Sequence, residues 1–157
     1  MEQTLEGLAA QVARGRRLVG LDLGTETIGV AVSDALLAIA TPVTTIRRTR
    51  FTRDAEQLAA LAKEREAAGL VYGLPVNMDG TEGPRCQSVR QFAANLERHG
   101  PPALAALPVL FQDERLSTAA VTRGMIDDYD MSRAKRAERV DAAAAAWILE
   151  SAMARLK

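Results

Sequence analysis

Two apolar segments with a short join between them constrain the fold of this chain more than any other feature of its sequence. Residues 17–23 read RLVGLDL and residues 27–33 read TIGVAVS, and only Gly24, Thr25 and Glu26 separate them. Segments of this length and apolar content are typical of buried strands. Because a join of three residues cannot cross a sheet, the two strands must be antiparallel neighbours. The sequence therefore predicts a β-hairpin at the start of the core.

The rest of the chain alternates between helical and strand-like patterns. Three further strands are expected, at about 43–48, 69–75 and 108–112. Four helices are expected: from Thr52, as N-cap, to Gly69; over 84–98; from Ser117 or Thr118 to about Asp127; and over 134–156. This order predicts an α/β fold with a five-stranded mixed sheet flanked by helices. It resembles the ribonuclease H-like fold, although element order indicates architecture and not activity.

Length, charge and cysteine content narrow the class of protein. Residues 16–157 are predicted to form one domain, and residues 1–15 an N-terminal extension. Lys+Arg and Asp+Glu both total 20, which argues against bulk binding of polyanions but leaves room for a local basic patch. The single cysteine, Cys86, excludes an internal disulfide framework. No apolar stretch has the length of a membrane span or the pattern of an export signal, so we expect a cytoplasmic protein with no membrane partner.

Carboxyl groups occur at three places where burial is expected. Asp22 interrupts the first apolar strand, where an ionised carboxylate is costly unless something positive compensates it. Asp141 lies on the apolar face of the last helix, about 20° from Ile148 in projection. Asp113 and Glu114 close the strand at 108–112, and since neighbours on a strand face opposite ways, only one of them can face Asp22. We favour Glu114, with Asp113 as the alternative.

The three acids Asp22, Glu114 and Asp141 are of a type suited to a hard metal ion. Carboxylates that meet in an interior repel each other unless they share a proton or a cation. Mg²⁺ and Mn²⁺ prefer carboxylate oxygens and can activate water for displacement at phosphorus. The sequence therefore predicts an Mg²⁺ or Mn²⁺ site with these acids as metal ligands and catalytic residues. Taken singly, Asp22 could instead form a turn, and Asp141 could cap a helix or pair with an arginine.

Four segments in matching order carry a family resemblance. They read GLDLGTETIGVAVSD, VYGLPVNMDGTEG, DERLST and RVDAAAAAWILES, and the resemblance that they carry extends over about residues 17–153. They resemble the motif blocks of the YqgF or RuvX family of pre-16S rRNA nucleases and Holliday junction resolvase-like proteins. The resemblance implies a ribonuclease H-like hydrolase that cleaves phosphodiester bonds with a divalent metal and matures the 5′ end of 16S rRNA in a bacterial cytoplasm. By position, its acidic site falls on Asp22, Glu114 (or Asp113) and Asp141.

One position departs from the family pattern. The residue two before the helix acid, commonly Lys in the family, is Arg139 here. The helical projection places it on the outer face, which argues against a role beside the metal.

Basic residues near the predicted acids are the candidates for substrate contact, since a polyanion needs countercharge. The candidates are Arg115, Arg85, Arg133, Lys135 and Arg136. Arg115 directly follows Glu114 and could equally neutralise Asp113. Arg85 begins a helix and could contact phosphate there, although the turn before it has an ordinary structural explanation. Aromatic residues make up 4% of the chain, and Trp147 and Phe92 are expected in the core, so we expect recognition of shape and backbone.

Other functions are compatible with parts of this pattern. The same acids could cut branched DNA as a Holliday junction resolvase, or be vestigial in a non-catalytic ribosome-assembly or nucleic-acid-binding factor. The segment DLGTETIGVAVSD also resembles the phosphate-binding hairpin of actin-like ATPases and sugar kinases, which need two such lobes to enclose ATP. We favour a nuclease acting on RNA, with pre-ribosomal particles as partners and either a monomer or a homodimer as its assembly.

Overall fold

The computed structural model describes residues 17–114 and 133–155, with side chains from residue 140 onward in the second range. These residues contain five strands: β1 Arg17–Leu23, β2 Thr27–Ser33, β3 Ala40–Arg47, β4 Ala67–Leu74 and β5 Val109–Asp113. Four helices are described: α1 Phe51–Glu64, α2 Pro84–His99, α3 Pro102–Ala105 and α4 Arg133–Ala154. The N-terminal extension, the helix predicted at 117–127 and Arg115 lie outside the described residues.

The strands form one mixed sheet in the order β3-β2-β1-β4-β5. β1 pairs antiparallel with β2, which pairs antiparallel with β3, while the β1–β4 and β4–β5 pairs are parallel. The predicted hairpin is confirmed with the expected bounds, and so is the five-stranded mixed sheet. β1 lies at the centre, where both of its faces are covered.

Helices cover the two faces of the sheet unequally. On one face α1 and α2 pack against β1 and β4 through a cluster that includes Leu21, Leu58 and Phe92. On the other face α4 is the one described helix that packs against the sheet, and its alanines and Ile148 form a cluster with Leu18. Because side chains alternate along a strand, the even-numbered residues of β1 face α4 and the odd-numbered ones face α1 and α2.

β3 begins earlier than the sequence predicts. We expected the strand from about residue 43, but pairing with β2 extends from Arg47 back to Ala40. The pairing shifts between Val30 and Ala31, which oppose Thr44 and Pro42. Proline lacks a backbone N–H, and it is accommodated here because β3 is an edge strand and the irregularity interrupts the ladder beside it.

Both ends of α1 also differ from the prediction. Thr52 is not the N-cap; that position is Arg50, whose side chain makes no capping hydrogen bond. Asp54, in the first turn, instead holds the residue before the N-cap, since its Oδ1 accepts a hydrogen bond of 3.2 Å from the backbone N–H of Thr49. The helix ends at Glu64 because Glu66 adopts a left-handed conformation with φ of 54°, and β4 starts directly after it.

The prediction that Trp147 lies in the core is wrong, because 39% of its surface is exposed. It lies six residues after Asp141 and so about 120° around the helix from the sheet-facing side. The surface of α4 that contacts the sheet consists mainly of alanine, which permits a close approach that an indole ring would prevent. Phe92 is buried as expected.

The buried hydroxyl of Tyr72 makes the stability of the core depend on pH. Its hydroxyl is buried with no hydrogen-bond partner among the described residues, and burial raises its pKa. Since the unfolded chain ionises first, near a pH of about 10, the free energy of unfolding falls as pH rises above that value. We expect Tyr72→Phe to remove this dependence and to leave stability at neutral pH unchanged or roughly 1 kcal/mol higher. Urea unfolding of both proteins at about pH 7 and about pH 10.5 measures this effect, and a large loss at neutral pH would contradict it.

Candidate active site

Asp22 is a buried carboxyl group on the face of the sheet that α4 covers. Its exposed fraction is 7%, and its partner in β2 is Gly29. On its other side, β1 pairs with β4 as far as Leu21 with Tyr72. Continuing that register by one residue places Asp22 beside Gly73. Asp22 thus has a glycine on each neighbouring strand, and neither glycine carries a side chain that would cover the carboxylate.

Gly29 brings the helix acid to this place. A Cβ atom at Gly29 would collide with the backbone carbonyl of Asp141. Only glycine therefore permits α4 to lie this close to β2. This close approach brings Asp141 to the hairpin formed by β1 and β2.

Thr27 orients Asp141. Its Oγ1 donates a hydrogen bond of 2.5 Å to Oδ2 of Asp141 across a sequence separation of 114 residues. Thr27 was not among the residues predicted for the site. A signal was present, because Thr27 lies two positions before Gly29 and hence on the same face of β2. Its distant partner could not be read from that pattern.

Glu114 lies on the same side as Asp22. Its Oε1 is buried and would be 3.0 Å from a Cβ atom at Gly73, a position that also contacts Ile148 of α4. Asp113 pairs with Leu74, which belongs to the cluster on the opposite face. The geometry therefore favours Glu114 over Asp113 as the acid that shares a face with Asp22.

The three carboxylates surround one region without forming a compact cluster. In the ranges 17–114 and 133–155, no three His, Cys, Asp or Glu side chains are grouped closely enough to hold a metal ion. The donor chemistry nevertheless suits Mg²⁺ or Mn²⁺, since Asp22, Glu114 and Asp141 offer only carboxylate oxygens. A shared ion requires these side chains to converge from the positions described here.

The basic candidates are distributed differently. Arg133, Lys135 and Arg136 lie in the first turn of α4, but their side chains are outside the described residues, as is Arg115. Arg85 is exposed in the first turn of α2, on the face of the sheet opposite α4. The structure therefore does not bring Arg85 to the acids directly.

Gln112 is a buried polar neighbour of Glu114 that was not predicted from the sequence either. Its Oε1 accepts a hydrogen bond of 3.0 Å from Nη1 of Arg155, which ties β5 to the end of α4. This contact holds the strand that presents Glu114 against the helix that presents Asp141.

Comparison with known proteins decides the family. The model of the RuvX family, described as Holliday junction resolvase, matches residues 16–155. The chain belongs to the RuvX family. Among relatives of this RuvX protein, one from Rhodospirillum rubrum is 58% identical over 150 residues, covering 96% of this chain and 90% of the relative. Another, from Paracoccus denitrificans, is 52% identical over 155 residues and covers 99% and 94%. Both are provisionally named pre-16S rRNA nucleases.

Solved structures agree on the fold of the RuvX chain. Thermus thermophilus RuvC in complex with a Holliday junction substrate superposes with a TM-score of 0.52, covering 90% of this chain and 96% of that one. Sequence identity is 14%, so this likeness concerns the fold alone. The predicted ribonuclease H-like fold and the predicted family are confirmed, and family membership supports the predicted nuclease class.

Membrane association was not expected. None of the helices in the described parts of the RuvX chain has the length and apolar character that crossing a membrane requires.

Proposed function

We propose that this chain is a divalent-metal-dependent nuclease that hydrolyses phosphodiester bonds, with Asp22, Glu114 and Asp141 as its metal ligands and catalytic residues. The observation that carries the proposal is the environment of Asp22. It is a buried carboxylate between two glycines, with Asp141 in contact with one of them and Glu114 close to the other. Asp22 is buried, Asp141 and Glu114 are partly exposed, and a cation shared by the three would offset the repulsion between them when they converge.

The protein's own residues supply the geometry. When bound, Mg²⁺ or Mn²⁺ supplies a Lewis acid that favours a nucleophilic hydroxide and offsets charge at phosphorus. Asp22 is fixed by its place in the central strand, and Thr27 fixes the orientation of Asp141 through a hydrogen bond. The contact of α4 with Gly29 holds the backbone of Asp141 against β2.

The proposed substrate is the 16S rRNA precursor, in which the enzyme matures the 5′ end. The names of relatives more than 50% identical over most of the chain support this choice. Contacts to phosphate are proposed for Arg115, Arg133, Lys135 and Arg136, which flank Glu114 and Asp141 in sequence. Pre-ribosomal particles in the cytoplasm are the proposed partners, and the single buried thiol of Cys86 fits such a reducing compartment.

Branched DNA is the second candidate substrate. The description of the matching family model, Holliday junction resolvase, favours it. Resolution of a four-way junction requires two active sites, and so a dimer, whereas cleavage of an RNA strand requires one. The two substrates therefore also differ in the assembly that they demand.

Cleavage of both substrates side by side tests the function. End-labelled single-stranded RNA carrying the precursor 5′ sequence and a four-way DNA junction are incubated with the wild-type protein in Mn²⁺, Mg²⁺ or EDTA. We expect RNA cleavage with either metal and none in EDTA. Cleavage of the junction alone would move the assignment to the resolvase, and binding without cleavage of either substrate would support the non-catalytic factor.

Thr27 gives a more specific prediction for the proposed metal site. Thr27→Val keeps the shape of the side chain but removes the donor to Asp141, so we expect the Mn²⁺ concentration for half-maximal cleavage to rise about 10- to 100-fold. Thr27→Ser keeps the hydroxyl and should retain most of the affinity. Mn²⁺ titration calorimetry provides a second readout without substrate. Equal affinities for Thr27→Val and the wild type would rule out this positioning role.

A further inference from the structure

A cavity of about 470 Å³ opens at the carboxyl end of β1, on the face opposite the carboxylates. Its floor is apolar and is formed by Leu23, Phe51 and Val89. Its polar wall consists of Gly24, Thr25, Arg48, Thr49, Arg85 and Ser88. The volume falls within the range of pockets that hold small ligands, which is roughly 300–1,000 Å³.

Arg48 is held in place at this cavity. Its Nη1 donates a hydrogen bond of 2.6 Å to the carbonyl oxygen of Gly24, and its guanidinium carbon lies 5.5 Å from the ring centre of Phe92. These contacts fix a half-buried cation beside the tip of the β1–β2 hairpin. A guanidinium has five N–H donors, so further donors remain for a ligand.

Within the part of the chain that the structure describes, the positive charge of Arg48 and Arg85 is not compensated by an ion pair. Across the described residues, neither Arg48 nor Arg85 forms an ion pair with a carboxylate. Asp54 also lines the cavity, but its Oδ1 accepts hydrogen bonds from the backbone N–H and the hydroxyl of Thr49. Two cations against one internally bonded anion leave a net positive pocket, and planar guanidinium groups favour phosphate.

We infer that this cavity, which we call the Arg48–Arg85 pocket, binds a phosphate group of the nucleic-acid strand that the acidic site cleaves. The inference rests on the proposed nuclease function. Gly24 follows Asp22 by two residues, about 7 Å along the strand, but the pocket and the carboxylate lie on opposite faces of the sheet. A strand that occupies both places therefore passes over the hairpin tip at Gly24 and Thr25, and the pocket holds a phosphate displaced from the scissile one.

Binding of a single-stranded RNA oligonucleotide in EDTA tests the pocket without requiring turnover. Arg85→Ala is compared with Arg98→Ala, which makes the same change at an exposed site about 20 Å further along α2. We expect Arg85→Ala to raise Kd about tenfold and to reduce the slope of log K against log salt by about 0.7. Arg98→Ala should change neither. Equal effects of the two variants would overturn the pocket.

Two further experiments ask whether the bound phosphate belongs to a strand or to a free nucleotide, and whether the effects arise from a loss of stability. Arg48→Lys keeps the charge but loses the planar fork, and we expect a higher KM with an unchanged kcat and an unchanged urea midpoint.

An effect of Arg85→Ala on oligonucleotide binding alone identifies a strand phosphate, and an equal effect on adenosine monophosphate binding identifies a free nucleotide instead. If the protein cleaves no substrate yet Arg85→Ala weakens binding, the nuclease proposal fails and the pocket stands. If the wild-type protein cleaves its substrate but Arg85→Ala binds the oligonucleotide with unchanged affinity, the nuclease proposal stands and the pocket fails.

Discussion

We expect Asp22→Asn to lower the rate of phosphodiester cleavage by about 1,000-fold or more, equivalent to roughly 4 kcal/mol of transition-state stabilisation. Asparagine has the same size as aspartate but lacks the anionic oxygen that a hard cation requires. Because Asp22 is buried, removal of its charge also removes a desolvation cost, so the folded state should be as stable as the wild type or more stable. Single-turnover cleavage rates and urea unfolding measure the two effects separately.

Two neighbouring acids provide the matched comparison. Glu114→Gln should share the loss of activity, because Glu114 lies on the same face as Asp22. Asp113→Asn removes the same charge one residue away on the opposite face and should retain a rate close to that of the wild type. Cleavage by Asp22→Asn at the wild-type rate would refute the site. Loss of activity in Asp113→Asn but not in Glu114→Gln would assign Asp113 to the site in place of Glu114.

Gly29→Ala should damage both the fold and the site. The added methyl group would collide with the backbone carbonyl of Asp141, and a backbone atom cannot rotate away as a side chain can. Overpacking of this kind costs about 1–3 kcal/mol or more. We therefore expect a lower urea midpoint, and we expect activity to fall further than stability alone explains, since α4 carries Asp141 away from Asp22 when it shifts.

Gly24→Ala is the control for the stability effect. A Cβ atom there would lie 3.4 Å from the carbonyl oxygen of Thr27, an ordinary contact, and Gly24 does not have a positive φ. Its free energy of unfolding should change by no more than about 0.5 kcal/mol. Similar small changes in Gly24→Ala and Gly29→Ala would show that α4 does not lie as close to β2 as the structure describes.

The parts of the fold that the sequence predicted are those that local chemistry determines. β1 and β2 are buried on both faces and joined by three residues, so no other pairing was open to them. Strand alternation predicted that only one of Asp113 and Glu114 faces Asp22, and the surroundings of both residues place Glu114 on that face. The exposure of Trp147 was missed although the helical projection contains it, since Trp147 lies about 120° around α4 from Asp141.

Other features depend on contacts between distant segments. Thr27 acts on Asp141 from 114 residues away, and that pairing exists only because Gly29 admits α4. The Arg48–Arg85 pocket likewise joins the end of β3 to the start of α2, and neither segment alone indicates a cavity. The end of α1 at Glu64 follows from the left-handed conformation of Glu66, which its residue type does not predict.

A crystal structure of the wild-type protein grown with Mn²⁺, with an anomalous difference map, tests the central claim most directly. The account predicts an anomalous peak bounded by the carboxylates of Asp22, Glu114 and Asp141, at oxygen distances of about 2.0–2.2 Å. It also predicts that Asp22→Asn crystals grown in the same way lose the peak. A peak coordinated by other residues, or one that persists in Asp22→Asn, would contradict the assignment of these three acids as the metal site.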